Sequence, residues 1–559
     1  MPPRASSTPP RKSCRPHFHG VQIVLLLVVV RFQRQIRSRG RAHSLRKFVW
    51  NFDARRFLGS MQTSASTKAL RDGSTDIDNN ADDGPRRDLL DTMIRRSNTS
   101  SLKTMFRFLQ SHTQRESFDE AIYNHTVEYE RCQRYGLTYN PMALPGKGKP
   151  ARRRRIFFGS LIADDTWHAI GAHAAETYGL YHTAVFIESN LTQTLTPREM
   201  RFEAGSLNHE MLVSSGIFGP RTRVSVDTFD NRDWHLKELV RENVQRGLIL
   251  KTWKMNGMTK DDIGIVSDVD EFFTRDFLLA AMTCDVPEFR PGQNCHKPKV
   301  IARTLVLEST PECITDRRHW FHPDMIIGEC IETIGNATDR EPAPREYGNG
   351  KLGRRVKGKG QFLKDWKNLP DRTRYPLWTP ADFRSAEGGK QYGELDAASE
   401  ETFHTAFHLH YYFSDLGELR HKYKTYGHPI PGADSKPLGR LHDDVDGAIM
   451  CAMNRTSTNA KRLLVRREWA VYLEKGRRMP LLHTNEKYRQ LHLDELRKAI
   501  VEDESKYGET SYGRKHYTYG KSYFERKKYR LPQGPRTKMN GPNRTRIFEM
   551  LARQNSPAN

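Results

Sequence analysis

One stretch limits what this chain can fold into: Ile263-Gly264-Ile265-Val266-Ser267-Asp268-Val269-Asp270-Glu271. Four uncharged residues, three of them apolar, run directly into an acidic cluster. Such a run, bounded by polar residues, reads as a short buried strand. Open α/β sheets bind ligands at the carboxyl ends of their strands, so the carboxylates are expected at that edge. If the backbone stays extended, Asp268 and Asp270 face the same side. Two carboxylates that close repel each other unless a cation lies between them. Hard oxygen donors suit Mg²⁺ or Mn²⁺ shared with substrate phosphates. Transfer from a nucleotide-sugar donor needs such a metal to neutralise the departing diphosphate.

An Asp-x-Asp triplet also occurs at Asp76/Asp78 and at Asp444/Asp446. The first lies in a polar stretch with no apolar run beside it. The third follows Gly439-Arg440-Leu441-His442 and runs into Gly447, which reads as a loop. Only Asp268/Asp270 closes a buried-type strand. The competing reading of that pair is a carboxylate cluster that caps the next turn.

Charge distribution excludes the simplest reading of a basic protein. The net charge is +24 over 559 residues. Residues 1–60 hold 13 Lys/Arg against one acid, and residues 505–559 hold 13 against three. The part between is therefore near neutral, a poor partner for a phosphate backbone, so nucleic acid is not an expected partner. A mean hydropathy of −0.75 points to disordered segments outside a core.

Residues 21–30 are a wholly apolar run apart from Gln22, preceded by Arg4, Arg11, Lys12 and Arg15 and followed by Arg31. The run is too short for a full bilayer span and suits a signal or short anchor. None of the seven cysteines forms a Cys-x-x-Cys pair, which argues against a structural zinc site. Cys284/Cys295 and Cys313/Cys330 are close enough for local disulfides in an oxidising lumen. Asn-x-Ser/Thr tripeptides begin at Asn98, Asn124, Asn190, Asn336, Asn454 and Asn543.

The organisation expected along the chain is a basic segment with its apolar run (1–32) and a largely disordered stem (33–150). A catalytic domain (151–440), a helical extension (441–504) and a basic disordered tail (505–559) follow. Leu102 to Tyr135 has room for one or two helices within the stem. From Arg155 the pattern alternates: strands at 156–162, 183–187 and 224–226, a helix after Asp164 or Asp165, and a long helix before Ile263. In that long helix Leu236, Val240, Val244 and Leu248 recur every four residues as the apolar stripe, with Arg241, Gln245 and Arg246 off it. Single strands are expected at 300–307 and 402–413, with a long loop or lid over 335–400. The class is α/β with a mostly parallel sheet.

Several blocks carry a family likeness: Arg155-Ile156-Phe157, Val185-Phe186-Ile187-Glu188-Ser189-Asn190-Leu191-Thr192, Arg241-Glu242-Asn243-Val244-Gln245-Arg246 and Val266-Ser267-Asp268-Val269-Asp270-Glu271. With their order and spacing, the chain resembles glycosyltransferase family 17, the bisecting β-1,4-N-acetylglucosaminyltransferases. The likeness covers about residues 153–430. It departs at Phe272-Phe273, where that family commonly has Ile-Pro, and in the 335–400 stretch. The resemblance implies a GT-A type nucleotide-diphospho-sugar fold, Mn²⁺ (or Mg²⁺), a UDP-GlcNAc donor, a glycan acceptor, inversion at the anomeric carbon and a type II Golgi membrane protein with a lumenal catalytic domain.

The expected roles follow. Asp268 and Asp270 are metal ligands, and Glu271 with Asp270 are catalytic, Glu271 as candidate base. Glu188, Asn190, Arg241, Gln245, Arg246, His410 and His428 are expected around the nucleotide sugar, with His408 as a further candidate. Two other classes stay open: an inactive sugar-binding relative, and a nucleic-acid-binding protein using its basic ends.

Overall fold

The main sheet starts at β1 (Ile156–Ile162), buried at all but one position. β2 (Tyr181–Ser189) and β3 (Arg223–Phe229) add in parallel on one side. The chain then crosses over, and β4 (Ile263–Val266) pairs in parallel on the other side of β1. Because β1, β2 and β4 are buried on both faces, they read as continuous apolar runs rather than as alternation. β5 (Glu271–Phe273) leaves for a second sheet, while β6 (Lys299–Ile301) returns to the first. β7 (Thr304–Glu308) and β8 (Ile314–Thr315) belong to the second sheet, and β9 (Asp324–Ile327) to the first. β10 (Lys390–Gln391) is an edge, β11 (Glu394–Leu395) and β12 (Thr402–Phe403) form a ribbon, and β13 (Ala406–His410) and β14 (Leu463–Leu464) complete the second sheet.

The result is an α/β fold on a mixed, mostly parallel sheet of order β10-β6-β9-β4-β1-β2-β3, with β9 antiparallel to both neighbours. The second sheet has the order β14-β8-β7-β13-β5. This computed structural model describes residues 84–113, 125–140, 153–229, 238–290, 295, 299–315, 322–335, 378–385, 389–395, 402–413, 415–425, 430, 432–441, 443–453, 463–464 and 478–508. The apolar run at 21–30, Asp76/Asp78, His428 and the tail beyond 508 lie outside the described residues. Among those described, no helix is long and apolar enough to cross a membrane.

Helices α1 (Gly84–Arg96), α2 (Ser100–Thr113) and α3 (His125–Arg134) fall in the expected stem. They belong to the core instead. Leu90, Met105, Phe106, Leu109 and Cys132 are buried in the main apolar cluster, because these helices carry enough apolar surface to pack. α4 (Trp167–Thr177) is capped by Thr166, whose hydroxyl accepts from Ala169 N, not by Asp164 or Asp165. α5 (Leu207–Val213) precedes β3.

α6 (Glu238–Met255) links β3 to β4, so its first half lies at the carboxyl edge of the sheet. Its sheet-facing line is Arg241, Gln245, Ile249 and Trp253, all buried. That is one position over from the apolar stripe read in the sequence. Two glycines permit the close approach. A Cβ on Gly159 of β1 would lie 2.3 Å from Ile249 Cγ2, and one on Gly264 of β4 would lie 2.7 Å from Trp253. Trp253 Nε1 donates to Phe158 O at 3.0 Å, which pins the helix.

α7 (Arg275–Thr283) follows β5, and α8 (Pro380–Ser385) stands in the stretch expected as a lid. The expected strand 300–307 splits into β6 and β7, in different sheets, and 402–413 splits into β12 and β13. α9 (Leu416–Thr425), α10 (Asp443–Ala452) and α11 (Glu486–Tyr507) share a second apolar cluster that includes Leu419, Tyr423, Val445, Ile449, Leu496 and Ile500. Asp446 sits in α10 and is buried, not in a loop. Tyr488 of α11 reaches the main core, so residues 486–507 are part of the fold rather than an appendage.

The disulfides also differ from the sequence reading. The pairs are Cys132–Cys284, Cys295–Cys330 and Cys313–Cys451, with Cα separations of 5.6, 5.5 and 6.0 Å. Proximity along the chain misled because packing, not sequence distance, brings cysteines together: 152 residues separate the first pair.

Candidate functional site

β4 ends at Val266, and residues 267–270 turn the chain into β5. The turn is held by its own backbone and by its neighbours. Glu271 N donates to Asp268 O at 3.0 Å, and Ser267 Oγ donates to Glu271 O at 2.8 Å. Leu409 N of β13 donates to Asp270 O at 2.8 Å. His173 Nδ1 lies 2.8 Å from Val269 O, and its Nε2 lies 2.9 Å from Tyr181 Oη. A carbonyl only accepts, so Nδ1 carries the proton and Nε2 accepts from Tyr181. Burial pushes His173 down to about 4. Each carbonyl from 268 to 271 therefore has a donor.

Asp268 and Asp270 have different partners. Asp268 accepts from Arg246 Nη2 at 2.7 Å and from Arg384 Nη2 at 3.2 Å. Burial alone would raise its pKa, but Arg384 and Arg246 outweigh it and hold the carboxyl below the usual range. Asp270 Oδ2 instead lies 3.6 Å from His408 Nε2.

Arg384 of α8 is the centre that the sequence did not reveal. It is buried and donates to Glu271 Oε2 at 2.7 Å, Asp268 Oδ2 at 3.2 Å and Asp324 Oδ2 at 3.4 Å. Asp324 is further bound by Lys299 Nζ at 3.0 Å and His322 Nδ1 at 2.6 Å. Burial opposes its charge, yet these cations and His322 hold it at about 2. Trp378 positions α8: its N–H donates to Cys330 O, and its Nε1 to Cys295 O at 2.9 Å, both on one disulfide.

Glu271 is fully buried on Arg384, with Asp268 N at 3.3 Å from Oε2. Burial raises its pKa; the Arg384 charge opposes this, and Asp268 and Asp270 add to the rise. Its contacts support the turn. Glu188 is likewise fully buried, with Oε1 accepting from Arg201 N at 2.8 Å and Oε2 from Phe202 N at 2.9 Å. It clamps the loop after β2. Asn190 begins that loop, its carbonyl accepting from Arg198 N. Gln245 is buried on the inner line of α6. Arg246 is committed to Asp268 and to Glu242, 2.5 Å away. His410 pairs with Glu308 at 2.9 Å across β13 and β7, with its ring centroid 4.9 Å from that of His408.

A further carboxylate completes the edge. Asp165 follows β1 and accepts from Ala163 N at 2.9 Å. Burial and then the Asp270 charge push it up to about 6, while Lys422 of α9 opposes them. The signal in sequence was present in Asp164-Asp165 at a strand end, but it was read as helix capping.

Among the described residues, no group of three or more His, Cys, Asp and Glu side chains is arranged to hold a metal ion. No protein-family model matches the chain, and no curated protein matches it.

Proposed function

We propose that this chain is a GT-A type glycosyltransferase. It moves N-acetylglucosamine, with inversion, from UDP-GlcNAc to a glycan, a β-linked mannose of an N-glycan, with Mn²⁺ or Mg²⁺. The observation that carries this reading is where the acidic turn leaves the sheet. Strand order reverses about β1, with β2 on one side and β4 on the other. The crevice outside the carboxyl ends at such a point is where open α/β sheets take ligands. Asp165 follows β1, and Asp268 and Asp270 follow β4.

Asp270 would hold a divalent cation, with substrate phosphates as further ligands, as Mg²⁺ and Mn²⁺ are commonly held. Asp268, with both oxygens on guanidinium groups, positions the turn instead. When bound, the metal neutralises charge on the departing diphosphate. Asp165 takes the acceptor hydroxyl proton: its raised pKa keeps it basic near neutral pH, and it stands apart from the buried Glu271. His173 and Arg384 keep the turn fixed before substrate arrives.

Three disulfides support an oxidising compartment. With the apolar run at 21–30 as tether, the reading is a type II Golgi protein with its sheet in the lumen. The test is Mn²⁺-dependent UDP release from UDP-GlcNAc by the full chain with a glycan acceptor.

A further inference from the structure

Ser189 ends β2 between two arginines. Arg241 Nη2 donates to Ser189 Oγ at 2.7 Å, and Arg198 Nε donates to Ser189 O at 2.9 Å. Arg241 has 0% of its surface exposed and lies over the Phe229 ring at 5.0 Å. Its Nε and Nη1 are buried without a hydrogen-bond partner. Among the described residues, no carboxylate forms an ion pair with it. Among the described residues, the carboxylate paired with Arg198 is Asp164, at 3.9 Å, a side chain 41% exposed.

Three other buried arginines are treated differently. Arg246, on the same helix, is matched by Glu242 and Asp268. Arg384 has three carboxylates, and Arg420 has Asp503 at 2.7 Å. A buried guanidinium without counter-charge is costly, and an anion with several oxygens would offset that cost through its free N–H groups.

We infer that Arg241 and Arg198 form an anion subsite at the carboxyl end of β2 that receives a phosphate group of a substrate. The inference rests on reading this edge as a nucleotide-sugar site. β2 lies two strands from β4, about 10 Å across the sheet, so the subsite and the acidic turn flank the end of β1. Arg246, grouped with Arg241 in the sequence reading, is already matched by carboxylates. The phosphate has two possible sources: a nucleoside diphosphate, or a phosphorylated sugar.

The experiment is thermal melting of the full chain without divalent metal, at fixed ionic strength, with inorganic phosphate, UDP or mannose 6-phosphate. A ligand that binds the folded state raises the melting temperature. Phosphate is expected to raise it. Whichever of UDP and mannose 6-phosphate acts at the lower concentration identifies the source. Arg241→Gln should melt no lower than wild type without phosphate. Its phosphate response should need on the order of tenfold more ligand, or be lost. Arg241→Lys should fall between, since it keeps the charge without the fork. Lys498→Gln, at a side chain 79% exposed on α11, should leave the response unchanged.

An unchanged phosphate response in both Arg241 variants would overturn the inference. So would Arg241→Gln melting well below wild type without ligand, since the guanidinium would then be a structural support. The transferase reading is tested separately: Asp270→Asn should lower UDP release on the order of 10²-fold or more yet leave the metal-free phosphate response intact.

Discussion

Arg384 Nη2 lies 2.7 Å from Glu271 Oε2, across 113 residues of sequence. The contact joins a short helix to the strand after the acidic turn, and Asp268 and Asp324 share the same guanidinium. Removing one partner of a buried charge network leaves the others uncompensated. Arg384→Gln is expected to cost about 3–5 kcal/mol in denaturant unfolding. Glu271→Gln should cost far less, about 1 kcal/mol, because burial already biases Glu271 toward its neutral form and an amide oxygen still accepts from Asp268 N. Equal losses in the two variants would contradict this ranking.

His173 links a helix to the acidic turn through a single proton. His173→Phe keeps the aromatic packing against Phe272, whose ring centroid lies 5.0 Å away, but leaves Val269 O without its donor. The expected cost is about 1–3 kcal/mol, with a fall in metal-dependent UDP release larger than the stability loss accounts for at assay temperature. A variant with wild-type turnover would show that the turn holds without this bond.

Two kinds of group set opposite pH trends. His173, His322 and His492 are each pushed down to about 4, mainly by burial. They are neutral in the fold, so the stability they contribute is present above about 6.5 and lost as pH falls through 4. Asp165, raised to about 6 from 3.8, works the other way. The folded chain keeps a proton that the unfolded chain has released, so its contribution is present below 3.8 and lost as pH rises through 6. Asp165→Asn should therefore gain stability relative to wild type between about pH 4 and 6 and then level off, by roughly 3 kcal/mol. The same variant should lose turnover at pH 7. Urea melts across this range give the difference curve, and a flat one would remove Asp165 from its role.

The strands around β1 were legible because burial on both faces leaves an uninterrupted apolar run. α6 was legible as a helix, yet its inner face was not. Arg241 and Gln245 occupy sheet-facing positions where period counting expects apolar residues, while Val244 and Leu248 are only partly buried. The break between Ile301 and Thr304 was hidden because both halves are apolar, and nothing local marks a change of sheet. Arg384 had no local signal at all. Its partners Asp268, Glu271 and Asp324 lie 116, 113 and 60 residues away, and it sits in a stretch rich in glycine and charge. The acidic turn was legible as a cluster, but its partners were not, because Arg246, Arg384 and His408 reach Asp268 and Asp270 from elements distant in sequence.

The central claim is that Asp270 serves a metal-assisted transfer at the end of β4. The most direct measurement is Mn²⁺-dependent UDP release from UDP-GlcNAc by wild type and Asp270→Asn, beside a thermal melt of each. Asp270→Asn keeps shape and an acceptor oxygen but removes the charge. The predicted result is a loss on the order of 10² or more in turnover, about 3 kcal/mol in the barrier, with a melt at or above that of wild type. Near-wild-type turnover in a normally folded Asp270→Asn protein would contradict the claim and leave the acidic turn a structural cap.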